Sequence, residues 1–389
     1  MICVKGEILR WARESAGLTI EEAAKLLHNK DGGNQKGIDE LKSYEEKSNT
    51  FSRNKVLKFS KAYRRAMLIF YLDSPPQKDE IGEDFRASPA DIPRKENSPM
   101  NALLRNIKSR QNIIRDMLVS EDEGEKVEFV GRCSMQDDTA TIARLIVQEI
   151  GFDLECFRRQ PTPDEAFKYA RAAVEKKGVF VVLASNLGSY HTNISSSIFR
   201  GFALSDKIAP FIVINNTDSK PALAFTLFHE LAHIFIGKTG ASNNTYDQVV
   251  EKFCNDIACD VLLPDDLSCF LRSADQEALK REIKEFSNRN NISCSFLAYT
   301  LYRRKIINKG IWQSLHNYYK QQYNKEKEGK KGASKQNSGG PNYYVLRKFH
   351  VGKKMLRLVK RMNEAGALTT VKSAFVLGVK PTNVHKMYK

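Results

Sequence analysis

Along residues 7–72 apolar positions recur every three or four residues, the spacing of amphipathic helices. The pattern predicts a first helix over residues 7–15, ended by Gly17. A second is opened by the Thr19-x-x-Glu22 capping box and runs to about Leu27. The stretch IDELKSYEEKSNTFSRNKVLKFSKAY predicts a third helix, a turn, and a fourth beginning after Ser52. Helix, short turn, helix is the outline of a helix-turn-helix. Residues 73–99 lose the period in a run of Pro, Asp, Ser and Lys and read as a linker or extended arm. Helical spacing returns over 100–119, 138–150 and 163–177. Continuous apolar runs then predict strands at 178–184 (GVFVVLA) and 209–215 (APFIVIN), separated by the loop SNLGSYHTNISS. A helical pair follows residue 263, and 324–340 read as a flexible charged linker. The last segment, 341–389, shows strand character first, then a basic amphipathic helix and a second short one.

The run FTLFHELAHIFIG, residues 225–237, departs from a plain core helix. His229 and His233 stand four apart and so share one helix face. Neutral imidazoles are good zinc ligands. Glu230, about 100° round the helix, is displaced from that line and is placed to take a proton from a metal-bound water. This is the HExxH arrangement of metalloproteases. Apolar neighbours on nearly every other face would bury these polar groups, which is costly unless they are paired or metal-bound. A catalytic zinc needs a third protein ligand and an open position. The other histidines (28, 191, 316, 350 and 385) show no pattern relative to the motif. The next helix, VVEKFCNDIACDVLLP, offers Glu251, Asp256 and Asp260. Spacing ranks Glu251 only slightly first, because Asn255 one turn later can orient a ligating imidazole. A closed structural zinc, the remaining option, commonly takes four cysteine-type ligands.

Charge changes the picture at the C-terminus. The chain of 389 residues carries a net charge of +16, and residues 301–389 hold 21 Lys and Arg against 3 Glu. Such a tail attracts nucleic acid or another acidic surface, or serves as a solubilising extension. The expected third helix of the N-terminal unit carries Asp39, Glu40, Glu45 and Glu46, which phosphates repel. DNA binding by that unit therefore competes with a docking or dimerisation role. Seven cysteines without CxxC spacing fit free thiols in a reducing cytoplasm. No apolar run reaches membrane-spanning length, and the charged N-terminus does not read as a signal peptide.

The stretches ARESAGLTIEEAAKLL and SYEEKSNTFSRNKVLKFSKAY resemble the XRE-type helix-turn-helix family. FTLFHELAHIFIG followed by E-x-x-x-N-x-x-A-x-x-L-L-x-P resembles the ImmA/IrrE family of metallo-endopeptidases, as does the preceding GVFVVLASNLGSYHTN…APFIVINN. The resemblance implies an α+β, multidomain chain. Its parts would be an XRE-like domain (1–72), a linker (73–99), a gluzincin-like zinc peptidase domain with a small sheet (100–323), a flexible linker (324–340) and a basic C-terminal domain (341–389). It implies one Zn2+ per chain on His229, His233 and Glu251, with Glu230 catalytic and Asn255 behind the ligands. Tyr190, His191 and Arg200 are candidates for stabilising the oxyanion. The implied partner is a protein substrate, a transcriptional repressor or related regulator. DNA would be reached through the helix-turn-helix or the basic tail, with no membrane involved. The alternative is a DNA-binding regulator, perhaps antitoxin-like, whose peptidase domain turns over little.

Overall fold

A computed structural model of the chain describes residues 1–28, 35–65, 67–75, 94–187, 192–238, 245–264, 266–268, 270, 275–334 and 342–389. It is mostly helical with two small sheets, and it divides into two compact units. One holds residues 1–106 with 189–194, and the other holds 107–188 with 195–389. No helix among the described residues is long and apolar enough to cross a membrane.

The first unit contains β1 (Ile2–Val4), α1 (Gly6–Ser15), α2 (Ile20–His28), α3 (Gln35–Glu46), β2 (Asn49–Phe51) and α4 (Arg53–Ala62). Local chemistry sets the helix ends. Gly17 turns left-handed after α1, Thr19 and Glu22 exchange backbone N–H bonds at 3.2 Å, and Ser52 accepts the Lys55 N–H at 3.2 Å. β1 and β2 pair antiparallel, a two-strand ribbon that the hydrophobic pattern gives no sign of. The acidic character expected for α3 needs correction. Glu45 is buried and its carboxylate takes the Arg13 guanidinium at 2.6 and 2.8 Å, so its charge is neutralised inside the unit.

The second unit takes in helix α5 (Arg94–Ser120) from residue 107 on, then α6 (Thr139–Ile150), α7 (Leu154–Arg158), α8 (Pro163–Lys176) and three strands. These are β3 (Phe180–Leu183), β4 (Gly201–Leu204) and β5 (Phe211–Ile214). The order is β3-β5-β4, with β3 parallel and β4 antiparallel to the central β5. β4 falls where no strand is expected from the sequence, because four residues opened by a glycine are too short to show a period. Gln111 of α5 closes one end of this sheet, donating to the carbonyls of Leu204 at 3.1 Å and Ala209 at 2.8 Å. One apolar core joins α6, α8, the sheet, α9 (Leu223–Phe235), α10 (Thr245–Leu262), α11 (Gln276–Arg289) and α12 (Cys294–Arg303).

Beyond the core lie α13 (Lys309–Ser334), α14 (Tyr343–Val351), α15 (Lys353–Glu364), α16 (Thr370–Leu377) and α17 (Val384–Tyr388). Residues 324–334, expected as flexible linker, continue α13, and 94–99 of the expected N-terminal linker begin α5. The strand expected after residue 341 is helix α14. Its aromatic and β-branched residues favour strand, but Asn342 caps the segment, accepting the Tyr344 N–H at 2.8 Å, and the helix packs on β3.

Candidate metal centre

Helix α9 buries every residue from Leu223 to Phe235 except Phe225. It ends cleanly at Gly237, which adopts φ +68°, while the Lys238 N–H returns to the His233 carbonyl at 2.9 Å. A Cβ at Gly237 would come 2.9 Å from the Cα of Gly131, so the loop around Gly131 can approach the helix terminus this closely because Gly237 lacks a side chain. The polar residues of the motif therefore cannot form a solvent-facing stripe. They are held inside.

There the His229 Nε2 and His233 Nε2 face each other at 3.3 Å. The Glu251 carboxylate of α10 reaches across, with oxygens 3.1 Å from His229 Nε2 and 3.2 Å from His233 Nε2. A tetrahedral zinc bonded at about 2.0–2.1 Å holds its ligand atoms about 3.3–3.4 Å apart. These donor atoms thus already stand at the spacing such an ion imposes, and their chemistry, two imidazoles and a carboxylate, suits it. Glu251 keeps 42% of its side chain exposed, whereas Glu230 is 4% exposed, so the group opens to solvent on the α10 side.

The electrostatics follow from burial and proximity. Burial opposes ionisation of Glu251, yet hydrogen bonds from both histidines hold its carboxyl well below the usual range. Burial also disfavours the charged form of each imidazole. For His229 the bond to Glu251 and the charges of Glu230 and Glu251 outweigh it, and the pKa rises; for His233 burial wins and it falls. Glu230 has little solvent and lies near the Glu251 charge, which pushes it up to about 8 against the pull of His229.

Strand β4 presses on this carboxylate. A Cβ added to Gly201 would stand 2.7 Å from both Glu230 Oε1 and Thr226 Cγ2. Gly201→Ala is accordingly expected to cost about 1–3 kcal/mol through overpacking, read as a lowered urea midpoint. An unchanged midpoint would mean that β4 can move away. Gly201 is a site neighbour that reading the sequence misses; a glycine opening the short apolar run GFAL was the available signal of close backbone approach.

The other candidates separate. Asp256 and Asp260 turn to Arg303, at 3.7 and 2.5 Å, and Asp260 also accepts from Thr139 at 3.0 Å. Asn255 lies close enough to His229 to help raise its pKa. The Nδ1 atoms of both histidines are nevertheless buried and lack a hydrogen bond of ordinary geometry among the described residues. Arg200 is largely exposed, with its guanidinium 3.8 Å from Asp218. Tyr190 and His191 lie outside the described residues.

No curated protein and no solved structure matches the chain. A family model, peptidase M78, the IrrE N-terminal-like domain, matches residues 175–302, the span that contains Gly201, His229, Glu230, His233, Glu251 and Asn255. That likeness suggests metallopeptidase chemistry. Between residues 175 and 302, then, this chain is similar to the ImmA/IrrE family of peptidases.

Proposed function

We propose that the protein is a zinc-dependent endopeptidase acting on a protein partner. The observation that carries this reading is the convergence of His229, His233 and Glu251 beside a buried carboxylate that binds none of them. A zinc ion held by those residues would polarise a water and the scissile carbonyl. Glu230, fixed between α9 and β4, accepts the water's proton and passes it to the leaving amine. The partly exposed side of Glu251 admits the substrate. β4, at the edge of its sheet, lies along the same carboxylate and gives an extended substrate chain a backbone to follow. Asn255 steadies His229, more weakly than a carboxylate would.

The resemblance to ImmA/IrrE peptidases points to a transcriptional repressor or related regulator as substrate, in stress response or mobile-element control. Free thiols and the basic C-terminus support a reading in which that work is done in the cytoplasm near nucleic acid. The organisation proposed for the chain keeps an XRE-like unit ahead of the peptidase and a basic module after it.

The test is metal content. Protein purified without chelator should hold about one zinc per chain by elemental mass spectrometry, and Glu251→Ala should lose most of it, since three protein ligands are the minimum of an open catalytic site. Folded wild-type protein that takes up no zinc, even when zinc is supplied, would overturn the proposal.

A further inference from the structure

The end of the chain carries a second device. Thr369 caps α16, accepting the Lys372 N–H at 3.3 Å. At its other end Gly378 turns left-handed at φ 64°, its N–H bonds the Phe375 carbonyl at 3.2 Å, and the Val379 N–H bonds the Ala374 carbonyl at 3.0 Å. These are the two bonds of a Schellman stop. Lys380 is extended, Pro381 fixes the next helical turn, and Pro381–Asn383 runs on into α17. The connection is thus residues 378–380, the length and composition of a helix-turn-helix turn. Arg347 tightens it by donating from Nε to the Leu377 carbonyl at 2.7 Å, and its guanidinium fills the space that a side chain at Gly378 would need.

Packing determines what this pair presents. Ala374 and Leu377 of α16, Val384 and Met387 of α17, and Val359 and Met362 of α15 are buried together, with α14, α15 and α16 all against α17. The rest of the last helical segment faces outward: Lys380, Thr382, His385, Lys386 and Lys389 are exposed, and Asn383 partly so. Lysines hold phosphates; threonine, asparagine and histidine make hydrogen bonds to base edges. The charge is complementary to a polyanion. Residues 342–389 contain eleven Lys and Arg against one Glu. A short helix seated on its support after a tight turn, polar on its free face and set in a basic module, has the shape that enters a major groove.

We infer that α16 and α17 are a helix-turn-helix that lays residues 381–388 in the major groove of duplex DNA, with Lys380, Lys386 and Lys389 on phosphates and Thr382, Asn383 and His385 toward base edges. No residue of the metal centre enters this inference, and it holds whether or not the chain is a peptidase.

The experiment uses the full-length protein and fluorescent duplexes of about 20 base pairs, recovered by selection from a randomised pool, with anisotropy read across a salt series. Lys380→Glu with Lys386→Glu should weaken binding at least about tenfold and flatten the plot of log affinity against log salt by about 1.8, two phosphate contacts' worth. Lys353→Glu with Arg357→Glu, the same charge change on exposed positions of α15, should stay within about threefold of wild type. His385→Ala should keep most of the affinity but lose preference at one base position. All substituted positions are exposed, and thermal melting confirms that the variants fold. Wild-type protein that binds no duplex at low salt, a Lys380/Lys386 variant that binds normally, or equal losses in both double variants would each overturn the assignment.

Discussion

Glu230→Gln leaves the protein folded and zinc-loaded but removes cleavage of its partner. The expected loss is about 10²–10⁴-fold, the range that a positioned general base contributes, or about 3–5 kcal/mol in the barrier. Glutamine suits the test because it keeps the shape of the buried side chain that lies against Gly201. It also leaves His229, His233 and Glu251 in place to bind metal. What it cannot do is accept a proton. The measurement is the set of new protein N-termini in cells producing wild type or variant, with zinc content determined on both proteins. Cleavage by the variant at the wild-type rate would remove Glu230 from the chemistry. Loss of zinc would make it part of the metal site instead. If the variant keeps the whole biological effect of the wild type, the regulator with little turnover becomes the better account.

The parts of this site that are legible in the sequence are those set by local geometry. His229 and His233 share a face because a helix repeats every 3.6 residues, and Glu230 is displaced from it for the same reason. The caps at Thr19 and Ser52 are equally local, and the structure has both. Glu251 is different. Spacing along α10 barely separates it from Asp256 and Asp260, because the choice depends on which face of α10 meets α9. In the fold Arg303 of α12 draws both aspartates away, and Glu251 is left facing the histidines. Glu45 is illegible for a similar reason, since only its meeting with Arg13, 32 residues earlier, turns a surface charge into a buried pair. The helix-turn-helix at the C-terminus shows in sequence only as a basic helix and a second short one. Its turn depends on Gly378 being left-handed, which is local, and on Arg347 closing over it from 30 residues away, which is a product of tertiary packing.

The largest expected loss of stability comes from Arg171→Ala. Arg171 and Glu175, one turn apart on α8, are 6% and 7% exposed and bond each other at 3.1 Å. Between them they hold the junction of α14 and α15. The guanidinium donates to the carbonyls of Phe349 at 2.5 Å and His350 at 3.3 Å, and also to that of Val181 in β3. Glu175 accepts the Lys354 N–H at 3.3 Å. Gly352 sits in the middle at φ +92°, where a side chain would strike both charged groups. Removing the arginine strands a buried carboxylate and leaves three carbonyls without this donor, a cost of about 3–5 kcal/mol. That is a large share of the roughly 5–15 kcal/mol that usually separates folded from unfolded. Because the lost bonds tie α14 and α15 to α8 and β3, the damage should concentrate there. Hydrogen exchange on the full-length variant should show residues 342–389 losing protection first, while α9 and α10 keep theirs. Arg171→Met combined with Glu175→Leu should recover part of the loss, since an apolar pair strands no charge and leaves only the carbonyls and the Lys354 N–H without these partners. If Arg171→Ala instead costs less than about 1 kcal/mol, the range of an exposed ion pair, then solvent reaches this pair and the C-terminal helices are held by their apolar contacts alone.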